Sequence, residues 1–165
     1  MINIRENISL KPYHTFGMEV ATRYFAEYDS VEEAKVVRNL IEEIRAKKYY
    51  MPELEFVMVN ENDEIMGHVL FSRFHIEGKY ENEFLMLTPV SVKTELQRQH
   101  ISKELIEYGL KKAKDLGYKF CMVEGNPQNY RSRGFLTSAD FGIFADDSLE
   151  LACIALYSDF EVAWV

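Results

Sequence analysis

Two cysteines, four prolines and eight glycines in 165 residues are too few for a disulfide-stapled scaffold or a linker-rich, low-complexity chain. Cys121 and Cys153 each sit inside an apolar, strand-like run, where cysteine behaves as a small buried hydrophobe, so free thiols are expected. Positive charge is also short. Lys and Arg number 19 against 27 Asp and Glu, a net charge of −8, which excludes a global attraction to nucleic acid or to an anionic membrane. No apolar run approaches the roughly 18 residues of a membrane-spanning helix. The opening Met1-Ile2-Asn3-Ile4-Arg5-Glu6 lacks the basic-then-apolar layout of a secretion signal, and a cytoplasmic location is expected. In place of these features the chain carries 47% hydrophobic residues, with eleven Phe, ten Tyr and one Trp. That is ample for one packed core, and without internal repeats or linkers a single domain over 1–165 is the expected organisation.

Ser30 opens the first clear element: with Glu33 it forms a capping box, and Ala34, Val37, Ile41 and Ile44 recur at helical spacing to about Lys47. Glu19 to Tyr28 alternates as a strand. Leu54 to Val59 is a short apolar run between Pro52 and the polar cluster Asn60 to Glu64. Ile65 to Ile76 completes a hairpin with it, and Glu83 to Val92 is the next strand, giving an antiparallel meander. Pro89 cannot donate a ladder hydrogen bond, so a bulge or a parting of strands is expected there. Ser102, Leu105, Ile106, Gly109, Leu110, Ala113 and Leu116 mark one face of a helix. Glu107 and Lys111 are spaced to support it as an i,i+4 pair, and Gly117 ends it. Lys119 to Glu124 follows as a strand, closing a β-α-β unit whose helix starts beyond the carboxyl end of the split strand.

Ligands of α/β proteins collect at such a point, and a helix N-terminus suits phosphate. Between Lys93 and Lys119 there are seven basic residues against four acidic ones, whereas Asp140 to Val165 holds six acids and no base. On charge alone a solvated helix face is the preferred reading. The pattern of residues adds more. The stretch LTPVSVKTELQRQHISKELIEYGLKKAKDLGYKFCMVEGNPQNYRSRGF, residues 87 to 135, resembles the acetyl-CoA-binding core of the GNAT superfamily of N-acetyltransferases. The likeness extends less specifically to IMGHVLFS at 65 to 72 and the preceding helix, roughly residues 31 to 157 in all.

The resemblance implies an α/β fold with a mixed central sheet, split between the fourth and fifth strands and flanked by helices. It implies acetyl-CoA as co-substrate, with no metal and no flavin. Val90, Ser91 and Val92 would run beside pantetheine, the valines through their backbone groups. Gln97, Arg98, Gln99, His100, Ile101 and Ser102 would form the pyrophosphate loop. His100 and Ser102 stand where the family places small residues, a departure expected to obstruct the site, to widen it, or to add a phosphate donor through the imidazole.

In Gly125 to Phe135, Asn126 reads as the cap of a short helix with Pro127 in its first position; Asn126 counts with the cofactor-binding set. Tyr130, four residues before Gly134-Phe135, matches the family's general acid for the departing thiolate, while a tyrosine there equally packs a short helix onto the sheet. The positions where some members carry a base fall on Met86 and Thr88, which cannot serve. Glu83, Glu124 and His75 are the substitutes, with Glu83 and Glu124 the catalytic candidates beside Tyr130; each also reads as an ordinary rim residue. His14 and His68 have no ligand spacing, so no metal is expected.

Asn7 to Glu33 resembles the opening segment of UDP-N-acetylenolpyruvoylglucosamine reductase. No Gly-rich flavin-phosphate motif follows, so this is read as an atypical segment over 1–30 in place of the usual first helix. The sequence reading is therefore acetyl transfer to a primary amine of a small molecule or a protein, with no nucleic-acid or membrane partner and room for a homodimer. The alternative is a non-catalytic acetyltransferase-like module that binds a ligand or protein, with a degenerate coenzyme A loop; a flavin reductase fragment ranks last.

Overall fold

The computed structural model describes residues 3–6, 30–62, 64–76, 78–96, 99–124, 128, 130–141 and 151–156. The strand expected over Glu19 to Tyr28, the reductase-like segment up to residue 29, and Gln97, Arg98, Asn126 and Pro127 lie outside these residues. In chain order the elements are β1 (Asn3–Glu6), α1 (Val31–Ala46), β2 (Tyr50–Val59), β3 (Ile65–Ile76), β4 (Lys79–Val92), α2 (Ile101–Asp115), β5 (Phe120–Glu124), β6 (Leu136–Thr137) and β7 (Leu151–Ala155). The strands form one mixed sheet in the order β1-β2-β3-β4-β5-β7-β6. Among the described strands only β4 and β5 pair in parallel, joined through α2; the other pairs are antiparallel.

Both helices follow from their apolar spacing. Ala34, Val37 and Ile41 are buried, and Val37 and Ile41 pack with Leu70 on one sheet face. The first bond of α1 runs from the Ala34 amide to the Ser30 carbonyl at 3.0 Å. Ile101, Leu105, Ile106, Gly109, Leu110 and Ala113 are the buried residues of α2. They cover the other face, made of Leu54, Phe56 and Met58 of β2, Val69 and Phe71 of β3, and Leu85 and Leu87 of β4. Two details differ from the sequence reading. Leu116 is 45% exposed because it caps the helix rather than facing the core. Glu107 meets Lys103 at 4.0 Å, one turn back, in place of the expected Lys111.

Gly117 takes φ +95° and closes α2. Its amide donates to the Lys114 carbonyl at 2.9 Å, and that of Tyr118 to Ala113 at 3.0 Å. This double bond pattern requires the left-handed conformation glycine adopts freely. Gly109 has a different role, since a Cβ built on it would lie 2.1 Å from Cε2 of Phe71. Only a bare backbone lets α2 come this close to β3.

The bulge expected at Pro89 is present. Val69 pairs with Val90 and Phe71 with Leu87, so two residues of β4, Thr88 and Pro89, oppose the single Leu70 of β3. The extra residue shifts the alternation of side chains: Leu85 and Leu87 before it, and Val90 and Val92 after it, all join the core beneath α2. The cysteines are buried and unbridged; Cys121 belongs to the core under α2 and Cys153 to a cluster with Phe84, Phe120 and Met122. Burial pushes both thiols up, away from the reactive thiolate. No helix among the described residues is long and apolar enough to cross a membrane.

Candidate active site

The pairing of β4 with β5 runs from Phe84–Phe120 to Leu87–Val123 and stops. β5 itself continues, since Glu124 still pairs with Leu151 of β7. It is therefore β4 that turns away, at the Thr88-Pro89 bulge. Beyond the bulge the Lys93 amide donates to the Met66 carbonyl of β3 at 2.9 Å. Backbone groups alternate along an antiparallel strand, so those of Ser91 face β3 and those of Val90 and Val92 face the gap left by β5. The valine side chains stay in the core. A gap lined by unpaired peptide groups can accept an extended, amide-containing chain as an added strand.

α2 begins at the mouth of this gap. Its N-cap, His100, has φ 63° and ψ 17° and makes no side-chain capping bond. Among the described residues it is the non-glycine residue with positive φ. Histidine thus stands where glycine is expected and keeps the backbone glycine would take, with an exposed side chain. Ile101 is buried under the first turn and anchors it to the core, while Gln99 is exposed.

Ser102, in the same turn, accepts a 2.8 Å hydrogen bond from a guanidinium nitrogen of Arg133. Arg133 belongs to the short 3-10 turn Arg131–Arg133 that follows β5. A fixed cation and the free amides of a helix N-terminus therefore share one corner of the site, an arrangement that attracts an anion. The sequence reading gave Arg133 no role. Its only signal was a position inside the quoted motif, 31 residues from Ser102.

Tyr130 precedes that turn and is half-buried against the core under α2. Its carbonyl accepts the amides of Arg133 at 3.0 Å and Phe135 at 3.2 Å, and its ring meets that of Phe135 edge-on at 5.9 Å. Gly134 makes this tight reversal at φ +89°, where a Cβ would also crowd Ile154 at 3.1 Å. Phe135, fully buried, pins the segment so that Tyr130 is held at the carboxyl end of β5.

The other candidates separate. Glu124 ends β5 at the gap and is exposed. Glu83 lies at the opposite end of β4, where its carboxylate meets Lys119 at 3.5 Å. His75 is at that far end too, accepting the Gly78 amide at 3.0 Å. Four strand residues, about 13 Å, separate Glu83 from the parting point. Met86 is half-buried and packs with Phe84, Phe120 and Met122.

One group went unassigned in the sequence. Glu55 of β2 is fully buried on the face covered by α1. Arg45, in the last turn of α1, donates to Oε1 at 3.1 Å and to Oε2 at 2.5 Å. The Tyr50 hydroxyl donates to Oε1 at 2.7 Å, and His68 Nε2 lies 2.6 Å from Oε2. Burial by itself would raise the Glu55 pKa, but the bonds from His68 and Arg45 overcome it and hold the carboxyl well below the usual carboxylate range. A glutamate inside the run Leu54 to Val59 was the available signal, because a charge in a buried strand requires partners.

Comparison with known proteins follows this geometry. The model of the acetyltransferase (GNAT) family matches residues 18–141, beginning earlier than the sequence resemblance and taking in part of the atypical segment. Among solved structures, a GNAT family acetyltransferase from Brucella melitensis in complex with acetyl-CoA is 25% identical over 98% of this chain and 92% of its own, with a TM-score of 0.74. YhbS from Escherichia coli in complex with CoA is 19% identical over 96% of this chain and 82% of its own, with a TM-score of 0.73. YncA from Salmonella typhimurium with acetyl-CoA is 15% identical over 99% and 98%, with a TM-score of 0.66. The latter two likenesses concern the fold alone. A search of curated protein sequences finds no match.

Proposed function

Since the chain belongs to the GNAT family of acetyltransferases, we propose that it transfers the acetyl group of acetyl-CoA to a primary amine of a small molecule or a protein. The observation that carries this reading is the parting of β4 from β5 after Leu87 and Val123, with the peptide groups of Val90 and Val92 turned into the gap. Pantetheine is an extended chain with two amides, and it fits as the missing strand. The Brucella melitensis relative was solved with acetyl-CoA, which supports the same donor here. In this reading the first turn of α2 and Arg133 face the pyrophosphate.

The chemistry follows from the parts. The amine attacks the thioester carbon, the carbonyl oxygen becomes an oxyanion, and the Val90 amide is the donor aimed at it. Collapse expels the thiolate. Tyr130 is the acid that protonates it. The single domain, the amine class and the cytoplasmic setting belong to this reading.

Coenzyme A tests the donor half. At about a hundredfold excess over its Kd, a ligand that binds only the native state adds roughly 2.7 kcal/mol. For a chain of this size that raises Tm by about 5–10 °C. The acceptor half is tested by thiol release from acetyl-CoA with a panel of polyamines, aminoglycosides, amino acids and peptide N-termini. No melting shift and no heat of binding at saturating coenzyme A would favour the non-catalytic module instead.

A further inference from the structure

Glu55 and His68 are more costly to bury than packing requires. A charged carboxylate held by Arg45, Tyr50 and His68 contributes less than apolar residues of the same volume would, so its presence calls for another account. The valences left over point to one. His68 turns Nε2 to the ionised Glu55 at 2.6 Å, so Nε2 donates to the carboxylate and Nδ1 is the ring nitrogen left for another partner. Nδ1 is buried and has no hydrogen-bond partner among the described residues. Ser91 lies directly opposite His68 on β4, and its buried Oγ likewise has no partner among the described residues. Two adjacent, buried, unsatisfied polar atoms on one sheet face are the setting in which proteins hold a bridging water.

Ser91 sits between Val90 and Val92, whose peptide groups face the gap. The carboxylate, the imidazole and the hydroxyl thus run across β2, β3 and β4 and end at the strand on which acyl transfer is read. Of the proton acceptors read from the sequence, Glu124 stands exposed at the gap, Glu83 and His75 stand at the far end of the sheet, and Met86 and Thr88 cannot act, so among the described residues the buried imidazole is the second candidate.

We propose that His68 takes up the proton shed by the acceptor amine, through Ser91 and one bridging water, with Glu55 and Arg45 as positioning residues. The proposal rests on the acetyltransferase reading above. As the nitrogen lone pair forms the C–N bond, the carbonyl electrons move to oxygen and the N–H becomes acidic. Its proton passes along the chain to Nδ1, and Glu55 compensates the imidazolium. The C–S bond then breaks, and the thiolate takes the proton of Tyr130. One proton is gained at His68 and one lost at Tyr130, and exchange with solvent restores both. Among the described residues, the charged and titratable groups around His68 are Glu55 of β2, which it meets directly, and Arg45 of α1 and Tyr50 of β2, which bond that carboxylate; β4 contributes the neutral Ser91.

The test is thiol release from acetyl-CoA with the fastest amine of the panel, followed across pH for wild type, His68→Gln, Ser91→Ala and Glu124→Gln. An imidazole that must be neutral gives kcat a limb rising with pH. His68→Gln should abolish that limb and lower kcat by about 10² or more, while the coenzyme A melting shift stays at the wild-type value. Ser91→Ala should lower kcat by at least about tenfold. Wild-type kcat and limb in His68→Gln would overturn the proposal, as would loss of the limb in Glu124→Gln alone. If His68→Gln does not fold, Ser91→Ala decides, since it removes only a hydroxyl without a partner among the described residues: wild-type kcat there sinks the relay. A wild-type enzyme that binds no coenzyme A, or acetylates no amine, refutes the underlying reading instead and takes this proposal with it.

Discussion

Replacing His100 by glycine separates two effects that meet at one residue. His100 holds φ 63° at the N-cap of α2, forms no side-chain capping bond and is exposed. A left-handed L-residue costs about 1–2 kcal/mol, toward the low end for histidine. Glycine removes that strain but adds about 0.4–1 kcal/mol of entropy to the unfolded chain. No capping bond and no buried area are lost, so the balance is a gain of up to about 1 kcal/mol. In a chain of this length that raises Tm by up to about 4 °C, measurable by circular dichroism or scanning calorimetry without ligand. His100→Ala keeps the strain and should gain nothing, which makes it the control. The glycine variant should also bind coenzyme A more tightly, because the phosphates can then approach the first turn of α2 without a side chain between. A glycine variant that melts at or below wild type, or an alanine variant that gains as much, would refute the strain argument. Weaker coenzyme A binding by the glycine variant would show that the imidazole donates to the phosphate.

Gly109→Ala should cost about 1–2 kcal/mol and lower Tm by roughly 2–8 °C: helix propensity gains about 1 kcal/mol, but the new methyl meets the buried Phe71 ring at 2.1 Å, and overpacking costs more. A variant that melts at or above wild type would mean that α2 can retreat from β3 at little cost. The folded-state pKa of Glu55 lies below its unfolded value, so its contribution to stability is complete above about pH 4.5 and is lost as pH falls through the acid range. Urea titrations should show that loss in wild type. Glu55→Gln, which strands the buried Arg45, should be less stable by about 3–5 kcal/mol at neutral pH and flatter toward acid. Tyr130→Phe keeps the ring that meets Phe135, so coenzyme A binding should survive while kcat falls by about 10²–10⁴. An unchanged kcat with chemistry rate-limiting would remove Tyr130 as the acid.

Local chemistry is legible in the sequence because it repeats within a few residues. The 3.6-residue spacing of Ala34, Val37 and Ile41 and of Leu105, Gly109 and Ala113 set both helices, and the left-handed Gly117 set the end of α2. Pro89 announced the bulge, since a missing amide is a property of one residue. The hairpin of β2 and β3 was written in Asn60, whose side chain accepts the amides of Asn62 and Glu64 at 2.9 and 3.0 Å. The family pattern over 87 to 135 then led to the acetyltransferase fold, which the match over 18–141 bears out.

What tertiary structure decided are the relations between distant residues. Glu83, at a strand's start, and Glu124, at a strand's end, both read as catalytic candidates, but β4 and β5 are parallel neighbours, so the two lie at opposite ends of the strands. Arg133 reaches Ser102 across 31 residues, and Glu55 gathers Arg45 from 10 and His68 from 13 residues away. No periodicity encodes such pairs, because each depends on strand register and on how helices lie across the sheet. His100 shows the division at a single position. The sequence showed that glycine's place had been taken, and only the fold, by holding that backbone at φ 63°, decided that the loop keeps glycine's shape.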